Sequence, residues 1–146
     1  MILPVPYGSE PLGGARLEAI RLLLARLTRQ KAAGVVDVRT YVGRFCLVGD
    51  AADGYSLAPE EMPFARCDIV GNPLEDTLSP TQRMPLALAN LINATRVATN
   101  GALDVQVSVG DPANLLLAYP QVAGDLSAGD WNRAAGANNR VEIRVH

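Results

Sequence analysis

From Ala15 to Gln30 apolar side chains recur every three or four residues, at Leu17, Ile20, Leu24 and Leu27, with Arg16, Glu18, Arg21 and Arg26 between them. That period is one apolar stripe on a helix. Leu103 to Val109 alternates instead, with Leu103, Val105, Val107 and Val109 against Asp104, Gln106 and Ser108. A period of two predicts a strand buried on one face. Val35 to Val48 carries a similar signal, with Val36, Val38, Thr40 and Val42 opposite Asp37, Arg39 and Tyr41, and with Gly43 and Gly49 placed to bend it. The tail Val141 to Val145 ends the chain as a strand, Glu142 and Arg144 facing away from the valines and Ile143.

Weaker patterns fill the rest. Ile2, Val5 and Tyr7 fit a first strand whose prolines suit a sheet edge. Asp50 to Pro63, with Gly54 and two prolines, reads as a surface excursion, and Phe64 to Val70 as a short strand before a turn at Gly71, Asn72 and Pro73. Ser79 followed by Pro80 and Gln82 predicts a helix start, the helix running to about Ala94 and burying Met84, Leu88, Leu91 and Ile92. In that reading Pro85 lies close enough to the start to be tolerated. Asn114 to Tyr119 reads as a helical turn or brief helix and Pro120 to Gly136 as a long connection, in which Trp131 has two readings, an anchor of the loop in the core or a protein contact. The order is strand, helix, strand, excursion, helix, strand, loop, strand, which predicts an α+β fold with helices over one face of a mixed sheet.

Composition narrows the class. The 146 residues are 49% hydrophobic, enough for one substantial core and a single domain over residues 1–146. Thirteen basic against fifteen acidic side chains leave a formal charge of −2, so there is no broad positive field for nucleic acid. No apolar run approaches the length of a membrane span. The single histidine, His146, is the last residue and is expected to fray, which argues against imidazole catalysis or a histidine metal site. Asp50, Asp53, Glu60 and Glu61 match no calcium-loop spacing. No nucleophile and base pair stands out, so the chain reads as non-enzymatic and without a cofactor. Cys46 and Cys67 admit two readings, a disulfide in an oxidising compartment or two buried thiols.

The tail Asn138-Asn139-Arg140-Val141-Glu142-Ile143 resembles the Asn-Arg-Arg-Val-Glu-Ile ending of OmpA-like, peptidoglycan-associated domains, with Asn139 in place of the first Arg. That family also has an Asp opening a loop, a Gly three residues on and an Arg fifteen residues on; Asp68, Gly71 and Arg83 keep those offsets. Leu78-Ser79 echoes the Leu-Ser before the Arg, and Tyr7-Gly8-Ser9 resembles the end of the family's first strand. Five further positions depart from the pattern: Arg66-Cys67 replaces His-Thr, Asp76 replaces an Asn, and Ala134-Ala135 replaces Gly-Arg. The stretch between the first helix and Asp68 is longer than in the family, giving an enlarged middle connection. A second register puts the family's second strand at Val35 to Tyr41. Residues 50–73 then become an insertion, with no Asp at the ligand position.

The resemblance implies a periplasmic, non-catalytic module, part of an outer-membrane-associated or membrane-anchored protein, that binds the peptide stem of peptidoglycan. A diaminopimelate group carries an ammonium for Asp68 and a carboxylate for the fork of Arg83. Arg140 would secure the same loop or touch that carboxylate, and Asn72 and Ser79 would add hydrogen bonds. The departures imply an alternative: a protein-interaction or structural domain of an envelope, secretion or motility assembly that keeps the fold and has lost the ligand. Each residue also has a local reading, Asp68 as a turn residue, Arg83 on a solvated helix face and Arg140 at a sheet edge or surface.

Overall fold

The computed structural model describes residues 1–73 and 84–146. Among the described residues, seven strands and three helices of eight or more residues follow in the order β1 (Ile2–Pro4), α1 (Gly14–Arg29), β2 (Gly34–Tyr41), β3 (Phe45–Asp50), β4 (Gly54–Leu57), β5 (Ile69–Gly71), α2 (Leu86–Ala98), β6 (Leu103–Val109), α3 (Ala128–Asn138) and β7 (Arg140–Val145). A short 3₁₀ turn, Phe64–Arg66, precedes β5.

Four strands form a mixed sheet in the order β1-β7-β2-β6, antiparallel except for β2 beside β6. Period-two alternation puts Val36 and Val38, Leu103 and Val105, and Val141 and Ile143 on one face, where Ile20, Leu23, Leu24 and Leu27 of α1 and Leu88 of α2 cover them. The chain is therefore an α+β protein with a mixed sheet and helices packed on one face of it. Both covering helices end in the same way. Lys31 and Asn100 take left-handed backbone, and the next residues donate back five positions, Ala32 to the Leu27 carbonyl and Gly101 to that of Arg96. These are Schellman-type stops, which return orphan carbonyls to hydrogen bonding before the chain enters β2 and β6.

The long strand expected over Val35 to Val48 is two strands in two sheets. The break falls at Gly43, whose backbone lies so close to the Ala135 carbonyl that an added Cβ would overlap it. Beyond it, β3 is the centre of a three-stranded antiparallel sheet, β4-β3-β5. The excursion after Asp50 thus contains β4. Of the stretch Phe64 to Val70, the first part is the 3₁₀ turn and only Ile69–Gly71 is strand. Cys46 on β3 and Cys67 are joined in a disulfide.

Three further expectations change. The helix start at Ser79 and Pro80 lies outside the described residues, but Pro85 is the N-cap of α2 and not an interior residue, and the helix runs to Ala98. Pro85 itself has extended backbone, with ψ 145°, and α2 starts at the next residue. Asn114 to Tyr119 contains no helix, and the supposed connection after Pro120 contains α3. Ser127 caps α3 by accepting the Asp130 N–H; the helix packs on β3, and its buried residues are the small Ala128, Ala134 and Ala135 together with the polar Asn138. Finally, His146 does not fray: its N–H and carbonyl pair with Val35.

Candidate functional site

The tail motif sits where the two sheets meet. β7 lies between β1 and β2, so Arg140 is on an interior strand, opposite Tyr41, and not at a sheet edge or surface. Its side chain is 1% exposed and is the largest fully buried one among the described residues. Nε and Nη2 reach Glu142 Oε2 at 2.7 and 2.6 Å, Nη1 donates to the Asn138 carbonyl, and Nη2 to the Asn114 carbonyl, both at 3.0 Å. The guanidinium carbon lies 4.0 Å from the centre of the Tyr41 ring. A buried guanidinium is tolerable when paired and hydrogen-bonded, and here each of its three nitrogens has an acceptor.

The two preceding asparagines fasten other segments to the same junction. Asn138 accepts from the Leu116 and Leu117 N–H groups and donates to the Leu117 carbonyl, which fixes the irregular stretch after Asn114. Asn139 donates to the Val5 carbonyl at 2.7 Å and accepts from the Gly43 N–H at 3.0 Å. Asn72 donates to the Gly43 carbonyl and to Asn139 Oδ1, so this candidate ligand residue joins the internal network. Asn132 on α3 clamps β3 by accepting from the Cys46 N–H and donating to its carbonyl. Trp131 takes the first of its two readings and anchors the same layer: it stacks on Tyr119, tilts against Phe64 and donates to the Arg44 carbonyl.

Asp68 lies elsewhere. It is exposed, at the entry to β5, and its Oδ2 accepts the Gly49 N–H at 2.8 Å across from β3. Gly49 has left-handed backbone, and its Cα packs against Gly54, so the carboxylate ties down a distorted strand end. Asn72 stands at the other end of β5, four residues or about 13 Å away at the rise of an extended strand. Arg83 and Ser79 lie outside the described residues. Of the five candidate ligand residues, the structure therefore brings Asn72 and Arg140 to one junction and leaves Asp68 apart from them.

The face of the large sheet away from the helices carries Asp37, Arg39, Glu142 and Arg144, with ion pairs from Arg39 to Asp37 and from Arg144 to Glu142. The charge on Asp37, then a hydrogen bond with Tyr41, raises the Arg39 pKa. Positive and negative groups alternate there, so the face has no single sign to attract a charged ligand. Surface concavities of about 480 and 290 Å³ are lined by Met1, Leu23, Arg26 and residues 143–146 in one case, and by Leu57, Ala58, Glu60 and α3 in the other. Neither includes Asp68, Asn72 or Arg140. Among the described residues no three His, Cys, Asp or Glu side chains converge on a metal site, and no helix is long and apolar enough to cross a membrane.

The asparagine clamps were missed in the sequence, although Asn132, Asn138 and Asn139 crowd into one short stretch. Comparison with family models, curated proteins and solved structures finds no match to this chain.

Proposed function

We propose that the chain is a non-catalytic protein-interaction or structural domain of a cell-envelope assembly that has lost peptidoglycan binding. The carrying observation is the position of Asp68. It immediately precedes β5 of the separate three-stranded sheet, bonded through its N–H to the Leu47 carbonyl of β3, and its carboxylate is engaged in holding Gly49. This favours the register in which Gly34–Tyr41 is the second strand of the main sheet and the following sheet is an insertion, leaving no Asp at the ligand position. The burial of Arg140 and its bonds to Glu142, Asn138 and Asn114 support the same reading, because a side chain enclosed in this way is committed to internal acceptors and does not present its fork to a ligand carboxylate. The Cys46–Cys67 disulfide supports a compartment outside the reducing cytoplasm.

A second reading, binding of the peptidoglycan peptide stem through Asp68 and Arg83, is favoured by the exposure of the Asp68 carboxylate. Co-sedimentation with purified peptidoglycan separates the two. The expected result is that the parent protein stays in the supernatant. Sedimentation of the parent, abolished by Asp68→Ala with Arg83→Ala, would establish the second reading and overturn the first.

A further inference from the structure

The two edges of the four-stranded sheet are built differently. One edge, β1, has three residues and ends in Pro4, which blunts it against further pairing. The other, β6, has seven residues, LDVQVSV, with no proline, no lysine and a single charge. Its ladder to β2 has a definite phase: Gly34 donates to the Ala102 carbonyl at one end and Gly110 donates to the Thr40 carbonyl at the other. In a parallel ladder of period two, even-numbered residues then face β2, and the N–H and C=O groups of Val105, Val107 and Val109 point outward. Among the described residues nothing pairs with these groups. Leu103 N–H, the next in phase, is taken by Thr99 Oγ1, which marks where the open edge begins.

A second observation lies on the same side. α2 contacts β6, and its thirteen residues carry one charge, Arg96. Leu86 and Val97 on its outer face are 75% and 69% exposed, and Val109 at the end of β6 is 47% exposed. A surface helix ordinarily carries a charged face toward water, and this one does not.

We infer that β6 pairs with β6 of a second copy of this chain, antiparallel about a two-fold axis through Gln106. The sequence is self-complementary in that register. Val105 meets Val107 and Leu103 meets Val109 on the helix face; on the other face Asp104 meets Ser108 and Gln106 meets Gln106. No like charges are opposed; the outward groups of Val105 and Val107 pair with those of the mate and Val109 N–H meets the Leu103 carbonyl, while Leu103 N–H stays with Thr99 and the ladder ends there. Because the axis is perpendicular to the sheet, both copies keep their helices on the same face. The two α2 helices then lie on the same side of the joined strands. This inference stands on the edge and α2 alone and does not depend on the envelope reading.

Two variants test it by sedimentation equilibrium and oxidation. Gln106 and its symmetry mate form a non-hydrogen-bonded pair with Cα atoms about 4.5 Å apart, within disulfide reach. Cys46 and Cys67 are already paired, so Gln106→Cys adds one free thiol. The wild type is expected to sediment at twice the mass of one chain, and Gln106→Cys to form a covalent dimer on mild oxidation. Val107→Pro removes an outward N–H that β2 does not use, and is expected to weaken dimerisation about tenfold or more with unchanged circular dichroism. A wild type that remains monomeric at the highest soluble concentration overturns the proposal. So does a dimer in which Gln106→Cys fails to cross-link, a result that is informative even if the proline variant does not fold.

Discussion

The two sheets exclude water by different means. The four-stranded sheet buries long aliphatic side chains from β2, β6, β7, α1 and α2 in one continuous cluster. The three-stranded sheet has two small clusters, Phe45 with Leu47 and Ala135, and Cys46 with Ala58 and Ala128. Around these it adds a disulfide, an aromatic stack on Trp131 and the amide clamp of Asn132. A segment of about thirty residues has too little apolar surface to sustain a core by burial alone, so cross-links and directed hydrogen bonds make up the difference. Directional contacts of this kind leave little trace in hydrophobic periodicity.

The largest effect is expected at the junction of the two regions. Arg140→Ala would leave the buried Glu142 with only its longer pair to the exposed Arg144, and the Asn114 and Asn138 carbonyls without the Arg140 donor, at a cost of about 3 kcal/mol in chemical denaturation. Arg140→Met combined with Glu142→Leu should recover most of that loss, since it removes both charges together. A double variant as unstable as Arg140→Ala would show that the network's shape matters more than its charge.

Replacing both Cys46 and Cys67 by Ala addresses the small sheet directly. For a sequence separation of 21 the unfolded chain regains conformational freedom equivalent to about 3 kcal/mol. Hydrogen exchange should show the loss in β3, β4 and β5, while β2 and β6 amides stay protected. Equal loss of protection in both sheets would mean that they open as one unit.

The smallest effect is expected at Tyr7, which packs edge-on against Phe45. Burial raises its phenol pKa above the ordinary 10.0. The folded state then holds the proton more firmly than the unfolded state. Stability from this group is full below that ordinary value and is lost as the pH rises through the folded one. Tyr7→Phe keeps the ring contact and should flatten this alkaline decline in thermal denaturation.

Strong periodicity marked α1 and β6 closely, because each has a single apolar face against a single neighbour and burial alone decides it. It ran one strand across Gly43, since the reason for that break is the Ala135 carbonyl, ninety-two residues away in the chain. It passed over α3, whose buried face is alanine and whose strongest sequence marks are a Ser127 cap and Trp131. The candidate site followed the same division. The tail motif was visible as a resemblance, but that Asn138, Asn139 and Arg140 all turn inward depends on β7 being an interior strand.

Residue order therefore settled the α+β class, the first helix, and the faces of β2, β6 and β7, because these follow from local period and the removal of apolar surface from water. Tertiary structure alone decided that the middle of the chain forms its own sheet, that Cys46 meets Cys67, and that Asp68 stands apart from Arg140. Each of those depends on which distant segments are adjacent, and a hydrogen bond or a disulfide records that adjacency only after the chain has folded.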